Sequence, residues 1–273
     1  MTQRQAPDGA WYTRDEFVQY YGGDTEWHQA AIPGLPRLKL LYLDARGLAE
    51  TTRYMLAWAH VPYEDVRYPL RFGTPGDVAT VQRPEFEAAQ ANGEFAAGMG
   101  KVPLLEVSCP YAAPATETPR ARRLCPHAAG GRRVVRLAQS QAIERYVAQL
   151  VGLAGRTALE QAQIDAVAEH VRDIKQAYQT VRQGTAAEQD EWFAQTLVTH
   201  SARLEAALPS CVSSDVFTLA HFAIYTLYTQ FFDRADDAGA ALRQCPQLTR
   251  ICNLVRAHPD VAAWEARRPR TVL

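Results

Sequence analysis

Apolar and polar positions along this chain follow two different rhythms, one in its first half and another in its second. Leu38-Lys39-Leu40-Leu41-Tyr42-Leu43 reads as a short apolar strand, and an amphipathic helical stretch from Leu48 to His60 follows until Val61-Pro62 breaks it. Tyr63-Glu64-Asp65-Val66-Arg67-Tyr68 alternates as a second strand, so the pattern opens β-α-β with its two strands paired in parallel. Val102-Pro103-Leu104-Leu105-Glu106-Val107 predicts a third strand, its proline at the start as a proline in a sheet must be. Val134-Val135-Arg136-Leu137 predicts a fourth, with Ser140 placed as the N-cap of a helix from Gln141 to Val151. From Ala158 onward helices alone are expected, with Ile164, Val167, Val171, Ile174 and Tyr178 on one face of the first. Further helices are predicted from Gln189 to Leu208, Thr218 to Phe232, Leu248 to Ala257 and Pro259 to Arg267. An α/β half thus precedes an all-α half.

Three stretches stand outside this rhythm. Residues 1–36 end in Ile32-Pro33-Gly34-Leu35-Pro36 and read as an extension. Thr13-Arg14-Asp15-Glu16 fits a capping box for a short helix through Phe17 and Tyr20, with Gly22-Gly23 as its stop. Six aromatic side chains between Trp11 and Trp27 are too many for a solvated tail, so the segment packs on the main body or on a partner. Residues 109–133 carry four prolines and five arginines and read as a surface insertion. Phe72 to Gly100 reads as irregular, with a helical turn near Pro84-Glu85-Phe86.

Composition narrows the function classes. The 273 residues carry 29 Lys+Arg against 30 Asp+Glu, so no overall field draws the chain to nucleic acid or to an anionic membrane. Nowhere do about 18 apolar residues run consecutively, and Asp8, Asp15, Glu16 and Asp24 do not suit a signal or transit peptide. Cys109, Cys125, Cys211, Cys245 and Cys252 show no zinc-ligand spacing, and His170, His200 and His221 show none either. A reducing cytoplasm is the expected compartment, and no metal is expected.

Taken in order, Lys39-Leu40-Leu41-Tyr42, Arg46-Gly47-Leu48-Ala49-Glu50, Tyr63-Glu64-Asp65-Val66-Arg67 and Gly100-Lys101-Val102-Pro103-Leu104-Leu105-Glu106 resemble the soluble glutathione transferases, the sigma class most closely. Gln139-Ser140-Gln141-Ala142-Ile143-Glu144-Arg145-Tyr146, Gly152-Leu153-Ala154-Gly155, Glu160-Gln161-Ala162-Gln163-Ile164-Asp165-Ala166 and Trp264-Glu265-Ala266-Arg267-Arg268-Pro269 continue the match. The resemblance implies a thioredoxin-like glutathione-binding domain over residues 37–153 and an all-helical domain over residues 157–273. It also implies a homodimer that takes glutathione as co-substrate, without a resident cofactor, and a small hydrophobic electrophile.

The physical chemistry of those residues suits that reading. A free thiol titrates near 8.5, so a donor aimed at the sulfur favours the nucleophilic thiolate. Lowering the thiol pKa by about two pH units corresponds to about 2.7 kcal/mol of preferential thiolate stabilisation, within reach of a charge-assisted hydrogen bond. By resemblance Tyr42 supplies that donor. Val102-Pro103 would be the cis-proline that turns the Val102 backbone toward the peptide, and Gln139 with the helix start at Ser140 would hold the γ-glutamyl carboxylate. Asp173 would reach the ammonium of glutathione bound to the partner subunit, and Arg46 would lie beside the thiol. Leu48 replaces an arginine common beside the sulfur, and Arg83 and Glu87 stand where a tryptophan and a lysine hold the glycyl end, which leaves Lys101 or a nearby arginine for that carboxylate. Thr180, near where prostaglandin synthases carry an aromatic, argues against that isomerase specialisation. His221 stands where the helix cap usually has an aspartate, and only partial reciprocation of the Thr218 cap is expected.

Overall fold

The computed structural model describes residues 3–6, 11–22, 35–74, 80–108 and 134–271. The 109–133 insertion, Gly23 and Trp27 lie outside them. The described chain packs as two units, one from residues up to Ala45 with Leu56–Ile143, the other from Arg46–Met55 with Glu144–Thr271.

In the first unit, β3 (Arg37–Leu43), β4 (Tyr63–Tyr68), β7 (Leu104–Ser108) and β8 (Val134–Ala138) form a sheet ordered β4-β3-β7-β8. β3 and β4 pair in parallel, as their β-α-β pattern requires, while β7 runs antiparallel to both β3 and β8. The connection from β3 is a 3-10 turn, Gly47–Ala49, and helix α2 (Glu50–Trp58). One face of the sheet buries Leu41 and Leu104 against Phe86 and Phe95, whose rings stack 5.0 Å apart. The stretch before Gly100 is more regular than expected. It holds the short strands β5 (Arg71–Phe72) and β6 (Val81–Gln82), helix α3 (Pro84–Ala91) and a 3-10 turn at Ala96–Gly98. Two phenylalanines, Phe86 and Phe95, set this order because each buries its ring in the core.

The described residues of the extension belong to this unit. Strands β1 (Gln3–Gln5) and β2 (Trp11–Thr13) pair antiparallel and lead into helix α1 (Arg14–Tyr21). The Thr13–Glu16 capping box forms in both directions, and Gly22 closes the helix at φ 77°, where a side chain would be strained. Phe17 is 2% exposed beneath Tyr12 and Ala6, and Arg4 donates from Nη2 to the His60 carbonyl at 3.1 Å.

The second unit is helical. α4 (Ser140–Val151) leads into it, and α5 (Ala158–Val181) buries the apolar face read from the sequence together with Lys175. A predicted single helix from Gln189 is instead α6 (Ala186–Glu191), a π-helical turn at Trp192–Thr196 and α7 (Leu197–Ala206). The adjacent Trp192 and Phe193 are both buried there, around Tyr178 and Phe232. α8 (Leu219–Thr226) is buried throughout and ends in a second π-helical turn, Leu227–Phe231. α10 (Pro246–Ala257) and α11 (Pro259–Arg267) fall where expected, and between them and the second π-helical turn lies α9 (Ala235–Arg243), which the hydrophobic pattern did not announce.

At the start of α8 the structure corrects the expectation of a half-made cap. The Thr218 amide donates to His221 Nδ1 at 3.2 Å, the Thr218 hydroxyl lies 2.9 Å from the same nitrogen, and Nε2 donates to the Ser214 carbonyl at 3.3 Å. With Nδ1 accepting, the ring is the neutral Nε2–H tautomer and takes over the backbone contact of an aspartate. Burial holds its pKa down at about 4.

Candidate functional site

The sheet register gathers the predicted residues of the first unit at one end. Leu41 pairs with Val66 on one side and Leu104 on the other, and Leu104 pairs in turn with Ala138. Because β7 runs against both neighbours, the end of β3, the start of β7 and the end of β8 share one edge. Tyr42 on β3, Pro103 just before β7 and Gln139 just after β8 are each one residue beyond that row. A sequence separation of nearly 100 positions collapses to the width of three strands, about 10 Å.

Each of the three is placed by its own local chemistry. Tyr42 is 7% exposed, and its cross-strand partner is Arg67. Arg67 is held in turn by Asp65 at 2.8 Å and Asp44 at 3.3 Å, which keeps the β3–β4 end ordered. The Val102–Pro103 peptide is cis, Pro103 is buried and Val102 partly so, and the exposed Lys101 precedes them on an amide bonded to the Gly98 carbonyl at 2.9 Å. Gln139 adopts φ 71°, a left-handed turn that reverses the chain from strand into helix. The helix begins at Ser140 itself, one residue earlier than predicted, so the capping position falls on Gln139. Its first turn contains no acidic residue, so the positive end of the helix carries no carboxylate of its own there.

Arg46 and Asp173 belong to the second unit. Arg46 is half-buried just before the 3-10 turn, its pKa lowered by burial and by the nearby Arg268 guanidinium. Asp173 is exposed on α5. Of the substituted positions, Leu48 is 40% exposed, and Arg83 and Glu87 pair with each other at 3.6 Å.

Sequence reasoning missed a buried polar knot in the second unit. Glu50, 1% exposed, accepts from Arg53 at 3.2 Å, Trp264 at 3.3 Å and Arg268 at 2.8 Å, while Arg268 also bonds Gln230 at 2.7 Å. Tyr54 and Tyr225 each donate to Glu265 at 2.6 Å. Glu50 and Trp264 lie more than 200 positions apart, and only the fold brings them together.

A thioredoxin-like unit followed by a helical unit is the fold that glutathione transferases of solved structure share with this chain. No family model matches the chain. Similarity to individual proteins carries the assignment: the mouse hematopoietic prostaglandin D synthase is 27% identical over 247 residues, covering 88% of this chain and all of that protein. Glutathione S-transferase 4 of Caenorhabditis elegans is 32% identical over 140 residues, 51% of this chain and 47% of that one. Among solved structures, the sigma-class transferase of Fasciola hepatica matches 87% of this chain and 99% of its own with a TM-score of 0.64 at 19% identity. The rat prostaglandin D synthase complexed with a quinoline matches 87% and 100% with a TM-score of 0.61 at 24% identity. The resemblance read from the sequence therefore holds: over most of its length this chain is similar to hematopoietic prostaglandin D synthases and glutathione transferases, and it shares their fold.

Proposed function

We propose that the chain conjugates the thiolate of glutathione to small hydrophobic electrophiles, or delivers it to hydroperoxides, as a cytoplasmic homodimer. Tyr42 donates its hydroxyl to the thiolate; the Val102 backbone, Gln139, Ser140 and Lys101 hold the peptide; Arg46 lies beside the sulfur; and Asp173 answers the ammonium bound to the partner subunit. Catalysis is then positioning together with stabilisation of a charged nucleophile. The observation that carries this reading is the row of sheet pairs that sets Tyr42, Pro103 and Gln139 at one edge.

Retention on immobilised glutathione, and conjugation of a generic aromatic halide by the wild type and by Tyr42→Phe, test it. Losing a charge-assisted hydrogen bond worth about 2.7 kcal/mol should lower kcat/KM roughly 100-fold and raise the pH at which the rate turns on. A wild type that neither binds nor turns over removes the enzyme reading. A rate indifferent to Tyr42→Phe removes Tyr42 as the thiol activator. One observation favours a second reading, a catalytically silent transferase-like interaction module: Arg83 and Glu87, at the glycyl-binding positions, satisfy each other. Turnover with a bulkier γ-glutamyl thiol but not with glutathione would point instead to a different co-substrate.

A further inference from the structure

Two imidazoles that the sequence leaves unconnected face each other inside the helical unit. His170 on α5 and His200 on α7 are both half-buried, with ring centres 5.6 Å apart and ring planes inclined at 48°. Nε2 of His170 and Nδ1 of His200 are both shut off from solvent, and neither has a hydrogen-bond partner. A buried ring nitrogen without a partner is uncommon, and two of them on adjacent rings call for a shared explanation. A hydrogen bond from one ring to the other would be the simplest, yet none forms.

The spacing matches what a bridging metal ion requires. A metal–imidazole bond of about 2 Å sets each ring centre about 3 Å from the ion, so two rings bound at tetrahedral or wider angles have centres roughly 5 to 6 Å apart. We propose that His170 and His200 form a two-imidazole site for a borderline divalent transition ion such as Zn2+ or Cu2+, clipping α5 to α7. Among the described residues no group of three or more His, Cys, Asp or Glu side chains is placed to hold an ion, so the two imidazoles are the donors the protein supplies. Nitrogen donors without carboxylates select these ions over Mg2+ and Ca2+.

Calorimetric titration of Zn2+ into the chelator-treated full chain tests the site. One ion per chain is expected to bind, with affinity falling at least 10-fold in His170→Ala and in His200→Ala and staying unchanged in His258→Ala. Saturating Zn2+ should also raise the thermal midpoint of the wild type and of His258→Ala, but not of the other two variants. A second measurement needs no variant: Cu2+ loaded at one equivalent should give an electron paramagnetic resonance signal split by two imidazole nitrogens. Absence of binding, affinity indifferent to both substitutions, or a single-nitrogen signal would overturn the proposal.

Discussion

Protonating His221 should unfasten the start of α8. The neutral ring accepts from the Thr218 amide and donates to the Ser214 carbonyl. A proton on Nδ1 removes the only acceptor that amide has in the cap, at a side chain that is fully buried. Burial lowers the pKa from the ordinary 6.5 to about 4, against the smaller opposing effect of the Ser214 bond. A group depressed in the fold is protonated first in the unfolded chain. Stability is therefore lost as the pH falls from 6.5 toward 4, and the loss levels off below that. At about 1.4 kcal/mol per pH unit the whole effect is about 3 kcal/mol, of which about 2 kcal/mol appears between pH 7.5 and pH 5.

Urea unfolding followed by circular dichroism at those two pH values, on the wild type and His221→Asn, isolates this contribution. Asparagine keeps an acceptor for the Thr218 amide and does not titrate. Glu144 works in the opposite direction: its burial outweighs the attraction of Lys175 and Arg145 and raises its pKa. Its contribution is thus present at low pH and lost as the pH rises. Both proteins share that slope, so it cancels in their difference. The stability gap between them should change by about 2 kcal/mol in favour of the variant on acidification. A gap constant to within about 0.5 kcal/mol would refute the assigned tautomer and the cap derived from it.

Three other perturbations follow from burial. Glu50→Gln leaves Arg53 and Arg268 facing a neutral amide in a dry site and should cost about 3 kcal/mol in chemical denaturation. Glu144→Ala strands Lys175, whose buried ammonium already has a lowered pKa, and should cost a similar amount, whereas Glu144→Leu combined with Lys175→Met should be neutral or stabilising. Phe17→Ala empties the small core within the extension, where Phe17 packs against Ala6 and Tyr12, with about 3 kcal/mol lost locally. Limited proteolysis should then cut the first 36 residues far sooner while the remainder stays intact.

How much of this was legible in advance depends on the distance over which each signal acts. β3 and β4 announced themselves because alternation and apolar runs are local, and the Thr13 and Thr218 caps because three positions suffice to define them. α9 escaped: Ala-Asp-Asp-Ala-Gly-Ala-Ala-Leu-Arg offers small and acidic residues and an interior glycine, and its helicity rests on burying Ala238 and Ala241 against neighbours supplied by the fold. The π-helical turn at Trp192–Thr196 escaped for a related reason, since two adjacent buried aromatics break the 3.6-residue period that defined the expected helix. For the site, the residue types were legible but their meeting was not. Tyr42, Pro103 and Gln139 become neighbours only through the antiparallel insertion of β7 between β3 and β8, a pairing that no local pattern encodes. The same holds more strongly for His170 and His200. Thirty positions apart on separate helices, they lack any ligand spacing in the sequence, and the spacing that matters to a metal is the 5.6 Å between their rings.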